Sequence, residues 1–278
     1  MGGTDGIVEV ADPTDPLLRD YRHLTDAAAR RADHPVVIVE GVVALRRVLG
    51  AGVPLRSVAL TPTRARELGP EVTVAAPGTP VLVAERSVLA GVTGFDVHRG
   101  VLAAIDRPPP RPAVDVLAAA RASGAVAVAE GLSDHENVGA VFRNAAGLGL
   151  GAVLLDDRCA EPLYRRSVRV SLGWAAVLPH ARLGPLPDGL VTVRNAGFRT
   201  LALTTSAAAV PVGRAGPVGL FDGPVALLVG AEGPGLAPGT VSACDAEVTV
   251  PMAAGADSFN VATALAVVGA FLGEWRRG

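Results

Sequence analysis

Five short strand-like runs punctuate the second half of the chain, the first four mostly apolar: Ala125–Ala129, Ala152–Leu155, Thr200–Thr204, Val225–Val229 and the alternating Glu247–Val250. Runs this short that do not alternate apolar with polar residues suit strands buried on both faces, which is the situation inside a parallel sheet. Helix-compatible stretches accompany them, at Val114–Ala122, Val138–Leu148 and a long apolar segment from Asn260 to Trp275. Strand and helix in alternation predict an α/β domain, a parallel sheet sandwiched by helices. The first half repeats the rhythm less clearly, with Val36–Val39, Val58–Leu60 and Val101–Ile105 as apolar runs and the mixed stretch Gly41–Gly50 between the first two. A helix is expected over Leu17–Arg31, with Asp15 as its cap and Pro16 at its first position. Pro108-Pro109-Pro110-Arg111-Pro112 can extend neither a helix nor a central strand. It divides the chain into an N-terminal domain over 1–107, a stiff linker over 108–112 and a second domain over 113–278.

Composition narrows the function classes. With 278 residues, half of them hydrophobic, the chain has material for one large core or two moderate ones. No apolar run is long enough for a membrane span, and the first residues lack a basic region followed by an apolar one, so the cytoplasm is the expected location. Cys159 and Cys244 stand far apart and outside any His-rich neighbourhood, which leaves buried free thiols as the reading and gives no metal site. A net charge of -2 offers no global signal for nucleic-acid binding, so any RNA site must be local. All basic residues are arginine, the footprint of a GC-rich genome, and arginine also binds phosphate through two parallel hydrogen bonds. Arg165-Arg166 with Arg169, and Arg46-Arg47, are candidate phosphate contacts; solvated helix faces are the equally good alternative.

Three segments of the second half pair a strand end with a loop rich in glycine and polar groups, the place where open α/β sheets bind ligands. The first holds Asn137, Gly139, Arg143 and Asn144; the second is Gly230-Ala231-Glu232-Gly233-Pro234-Gly235; the third runs from Val250, Pro251 and Met252 to Ser258-Phe259-Asn260. Taken singly each has an ordinary explanation. Asn137, Ser258 and Asn260 suit helix caps, Arg143 a solvated helix face, Glu232 a solvated loop, and the glycines a common turn.

Their joint order resembles the three signature motifs of the SpoU/TrmH family of RNA 2'-O-ribose methyltransferases: Asn-x-Gly-x-x-x-Arg-Asn-Ala, then Gly-x-Glu-Gly-x-Gly, then Pro-Met followed by Ser-x-Asn-Val, across about 130 residues. The stretches Asp156–Arg158, Glu161–Arg166 and Val170–Gly173 are similar to that family's sequence between motifs one and two. Val39-Glu40-Gly41 and Gly94–Gly100 resemble its smaller RNA-recruiting domain, akin to ribosomal L30e. Ala145-Ala146 replaces an acidic residue that many relatives carry, and Ala262 replaces a serine.

The resemblance implies a C-terminal domain closed by a trefoil knot, a rare exception to the rule against knotted chains. It implies S-adenosylmethionine bound against Thr204, Gly230, Glu232, Gly233, Val250, Met252 and Phe259, and a homodimer built through the knot and the terminal helix, whose Val267, Val268, Phe271, Leu272 and Trp275 exceed what one helix face usually exposes. RNA, ribosomal more than transfer, is the implied partner. Asn137, Arg143, Glu232, Ser258 and Asn260 are the implied catalytic set. Arg143 is either a general base or a phosphate-binding group that stabilises developing negative charge, since a free guanidinium stays protonated. A non-catalytic RNA-binding or ribosome-assembly factor with the same fold is the main rival. A nucleotide-binding oxidoreductase is disfavoured because the first strand-to-helix turn lacks G-x-G-x-x-G followed by an acidic residue.

Overall fold

The computed structural model describes residues 6–24, 31 and 33–278, which fall into two compact units, 1–108 with 161–177, and 109–160 with 178–278. The first unit is built on a mixed five-stranded sheet. Its strands are β1 (Ile7–Glu9), β2 (Val36–Glu40), β3 (Leu55–Leu60), β4 (Val81–Val83) and β5 (Val101–Asp106), in the order β1-β4-β3-β5-β2. β5 runs antiparallel to both β2 and β3, and the other pairs are parallel. Helices α1 (Val42–Gly50), α2 (Pro62–Ala75) and α3 (Arg86–Thr93) connect the strands. The Asp15 carboxylate caps the first helical turn by accepting from the Leu17 amide at 2.8 Å, as expected, but the turn is a 3-10 helix that stops at Tyr21. Tyr21 is fully buried and its hydroxyl donates to the Ser57 carbonyl at 3.0 Å, while Arg22 folds back onto the carbonyls of Thr14 and Asp15. Residues 25–30 of the expected helix lie outside the described residues.

The chain enters the second unit at Pro109 with α4 (Ala113–Ala120), β6 (Ala125–Glu130), α5 (His135–Gly147) and β7 (Val153–Leu155). It leaves again at Glu161, and the stretch 161–177, including α6 (Arg165–Val170), packs with the first unit instead of the second. It returns for β8 (His180–Arg182), α7 (Leu190–Asn195), β9 (Arg199–Leu203), β10 (Val210–Pro211), α8 (Val212–Ala215), β11 (Val225–Gly230), α9 (Pro238–Ala243), β12 (Ala246–Thr249) and α10 (Val261–Trp275). The seven strands form one wholly parallel sheet in the order β10-β12-β9-β11-β6-β7-β8. One face packs Val126, Val128, Ala226 and Leu228 against Val116 and Leu117 of α4 and Leu190 and Val193 of α7. Alternate strand residues face the other way, toward α5 and α10. This accounts for the continuous apolar runs, since both faces of β6 are buried along its whole length. Burial pushes the Cys159 and Cys244 thiols up to about 12, so both stay protonated near neutral pH.

The stretch 161–177 is held to the first unit by charged and aromatic side chains. Arg107 Nη1 donates to Glu161 Oε1 at 2.8 Å with both side chains nearly buried. Arg165 stacks on Phe95, 3.8 Å from the ring centroid, and its Nη1 lies 3.4 Å from Glu40 Oε2. Arg47 stacks on Trp174 at 4.3 Å and donates to the Leu172 carbonyl. These arrangements correct two of the expected phosphate contacts: Arg165 and Arg47 spend their guanidinium groups inside the first unit. Arg169 buries its Nε as well, and Arg46 pairs with Glu71 at 2.9 Å on the surface. Of the five arginines, Arg166 is exposed with no partner among the described residues.

Removing Arg165 strands Glu40, 6% exposed, without a counter-charge. Arg165→Met should therefore lower unfolding free energy by about 3–5 kcal/mol, measured by urea denaturation, and adding Glu40→Gln should restore part of the loss. Unchanged stability with weakened RNA binding would return Arg165 to the surface role the sequence suggested.

Candidate active site

The C-terminal ends of β9, β11 and β12 open onto a cavity of about 770 Å³, lined by residues 203–206 at the end of β9, 229–236 at the end of β11, Glu247, Val248, Val250 and Met252 of β12 and beyond, and 258–261 at the start of α10. Each wall has a local cause. After β11 the chain turns back on itself, with the Gly235 amide donating to the Ala231 carbonyl at 2.9 Å. That fold-back needs glycine at 230: a Cβ there would sit 2.1 Å from the Gly235 carbonyl carbon and the Leu236 nitrogen. Gly233 (φ +84°) and Gly235 (φ +70°) supply the left-handed backbone of the turn. Behind it, the buried carboxylate of Glu130 at the end of β6 accepts from the Ala237 amide (2.9 Å) and the Thr240 hydroxyl (2.8 Å), tying the start of α9 to the sheet.

The three sequence segments converge on one side chain. Asn260 caps α10 through Oδ1, which accepts from the Ala262 amide at 2.9 Å and the Thr263 amide at 3.4 Å. Its Nδ2 donates to Asn137 Oδ1 and to Glu232 Oε1, both at 2.9 Å. Asn137 is free for this contact because it is not a cap: α5 starts two residues earlier, and Asp134 accepts from the Glu136 amide at 2.8 Å. Asn144 adds a second tie between α5 and α10 by donating to the Ala262 carbonyl at 2.7 Å.

Thr204, Gly230, Glu232, Gly233, Val250, Met252, Ser258, Phe259 and Asn260 all line the cavity, while Asn137 stands behind Asn260 and Glu232. Ser258 is exposed and makes no hydrogen bond among the described residues. Arg143 is not part of the wall; it sits on the exposed side of α5 with no partner among the described residues. Six residues on a helix turn the direction through about 600°, so Asn137, facing inward, and Arg143 leave α5 on different sides. Sequence reasoning did not single out Glu247, which lines the cavity and accepts from the Thr204 hydroxyl at 2.9 Å. Nor did it see Glu130 or Asp156 as buried acids. Asp156 is raised by burial, but the Gly131 amide, Cys159 and Arg158 outweigh that and hold it below the ordinary carboxylate range. An acidic residue closing or following an apolar strand is the signal that marks Glu130 and Asp156. Among the described residues no cluster of three acidic, Cys or His side chains could hold a metal ion.

Asn260→Ala removes cap and links together and should cost about 1–2 kcal/mol from the cap alone. Asn260→Asp keeps the cap but sets an acceptor against Glu232. Thermal unfolding should therefore place Asn260→Asp below wild type at neutral pH, and adding Glu232→Gln, which restores a donor opposite the new carboxylate, should recover part of the difference. No recovery would show that the Glu232 contact carries no weight.

Comparison with known proteins agrees with the motif order. Residues 124–270 match the model of the SpoU rRNA Methylase family. An uncharacterized tRNA/rRNA methyltransferase of Mycobacterium tuberculosis is 43% identical over 98% of this chain and 93% of its own length. The crystal structure of an AdoMet-bound rRNA methyltransferase from Sinorhizobium meliloti superposes with a TM-score of 0.78 at 25% identity, covering 98% of each chain. A crystal structure titled RNA 2'-O ribose methyltransferase shares the fold, with a TM-score of 0.75 at 24% identity over 98% of this chain and 100% of that one. With a family model matching more than half of its length and a relative this similar along nearly all of it, the chain belongs to the SpoU rRNA methylase family.

Proposed function

We propose that the protein transfers a methyl group from S-adenosylmethionine to a ribose 2'-hydroxyl of RNA, ribosomal RNA before transfer RNA, in the cytoplasm and as a homodimer. The observation that supports this reading is the Asn260 junction, in which one side chain of the third motif bonds Asn137 of the first and Glu232 of the second, Glu232 and Asn260 being part of the cavity wall. The cavity fits the cofactor in size and in chemistry. Its volume is in the range of small-molecule sites, and Leu203, Val229, Val248, Val250, Met252 and Phe259 give it apolar walls for a flat base. No Arg or His side chain lines it, a poor lining for a dinucleotide pyrophosphate but a suitable one for a cationic ligand. When bound, S-adenosylmethionine supplies an electrophilic methyl group on a sulfonium centre.

The protein's own tasks are to hold the ribose in line and to stabilise the hydroxyl as it loses its proton. Glu232, fixed by Asn260, and Ser258, with its hydroxyl unused, are placed to orient the ribose. Arg143, unpaired and exposed, is suited to an RNA phosphate beside the reacting group; its guanidinium keeps its charge, so phosphate or water takes the proton in this scheme. α5, which carries Arg143, packs on α10, whose Phe271 and Trp275 remain about two-fifths exposed while Val268 and Leu272 are buried in the core. That exposed pair is the support for dimerisation through α10. A trefoil knot is part of the proposal too: α10 follows β12 yet packs on α5, so the 251–260 segment crosses the ends of β9 and β11 to get there.

The test is methyl transfer from labelled cofactor to ribosomal RNA, followed by alkaline hydrolysis. A 2'-O-methyl group blocks cleavage at its own position, so label should appear in alkali-resistant dinucleotides. Arg143→Ala should reduce transfer by at least about a hundredfold with cofactor affinity unchanged in titration calorimetry; label in mononucleotides would move the chemistry to a base. Light scattering should give twice the chain mass, reduced to the monomer by Phe271→Asp, and a wild-type monomer at micromolar concentration would remove the dimer from the proposal.

A further inference from the structure

Among the described residues the ionisable side chains in the cavity wall are Glu232 and Glu247. They are not equivalent. Glu232 lies on the loop after β11 and is engaged by Asn260. Glu247 lies inside β12, opposite Ala202 of β9, in a strand with neighbours on both sides. The Thr204 hydroxyl donates to its Oε2 at 2.9 Å, and the Thr204 amide donates to the Val248 carbonyl at 3.0 Å, so donor and acceptor are both fixed to adjacent strands. Among the described residues its other oxygen has no partner, and no Arg or His forms an ion pair with it. A charge held in that way, without a counter-charge, at the wall of a ligand cavity, is placed for a cation that arrives from outside.

We propose that Glu247 makes this site discriminate the methyl donor from its demethylated product by charge. The inference rests on the reading that the cavity holds S-adenosylmethionine. That molecule carries a sulfonium and an ammonium against one carboxylate, net +1; S-adenosylhomocysteine has lost the sulfonium charge with the methyl group and is neutral overall. Shape hardly separates the two, because they differ by one methyl. A fixed negative charge separates them without needing new contacts, and it acts after each turnover to favour exchange of product for fresh donor.

Titration calorimetry with both ligands, on the whole protein, tests this. Glu247→Gln keeps an oxygen to accept from Thr204 and removes the charge. Its affinity for S-adenosylmethionine should fall about five- to tenfold, while that for S-adenosylhomocysteine should change less than twofold, so the preference for donor over product shrinks. Raising salt from about 0.02 M to about 0.5 M should weaken wild-type binding of the donor more than that of the product, because only the former gains from the charge. Thr204→Val, which frees the carboxylate but leaves it charged, should keep most of the preference. Should Glu247→Gln unfold, the salt series repeated on Glu232→Gln decides the matter, since Glu247 is then the one carboxylate left among the described lining residues: a surviving salt-sensitive preference for the donor supports the proposal, and its loss overturns it. Equal losses for both ligands would overturn the proposal and assign Glu247 to a group they share, such as the ammonium or a ribose hydroxyl. No change in either affinity would overturn it as well. If wild type binds neither ligand, it is the cofactor reading that fails, and this inference with it.

Discussion

The carboxamide of Asn260 holds the site together. A primary amide has one acceptor oxygen with two lone pairs and one nitrogen with two donors, and Asn260 uses all four capacities. The oxygen terminates α10, and the nitrogen bridges the helix after β6 and the loop after β11. An aspartate lacks the donors and a serine lacks the count. The helix cap and the functional contact are therefore a single arrangement: the same orientation that satisfies the free amides of α10 aims the nitrogen at Asn137 and Glu232. The position of Glu232 depends in turn on the tight turn at Gly230, and α9 behind that turn depends on Glu130. A disturbance at any of these reaches the others through hydrogen bonds in the 2.8–2.9 Å range.

Most of the second unit was legible because burial on both faces of a parallel sheet writes itself as apolar runs. β6, β7, β9, β11 and β12 lie within a residue of where those runs placed them. β8 and β10 were invisible for a physical reason: three-residue and two-residue edge strands bury too little to leave a pattern. The 3-10 turn at Pro16–Tyr21 shows the opposite failure. Its cap and proline were read correctly, but it ends at Tyr21, whose buried hydroxyl bonds the distant Ser57, a contact that helix-forming composition does not encode.

For the site, residue types in order were enough to assemble the cavity wall but could not assign roles within it. Asn137 read as a cap and is a buried acceptor; Asn260 read as a cap and is both cap and bridge. Gly230 read as room for a ligand, whereas its missing side chain makes room for the protein's own backbone at Gly235. The arginines misled most. Arg165 and Arg47 look like a basic surface in one dimension, and stacking on Phe95 and Trp174 turns them inward. Glu247 gave no signal because a lone acid in a strand-like run reads as an edge residue until its neighbours are known.

The excursion of residues 161–177 bears on how such a protein can have been assembled. The polypeptide passes between its two units three times, after residues 108, 160 and 177. The stretch 124–270 that matches the methylase family thus contains a piece whose partners Arg47, Phe95 and Arg107 lie in the first unit. A gene fusion that exchanged the first hundred residues for an unrelated RNA-binding module would leave Trp174, Arg165 and Glu161 without the groups they bury against. Recombination can therefore shuffle this catalytic region only together with a compatible surface on its companion, and the two halves are expected to be inherited as a matched pair.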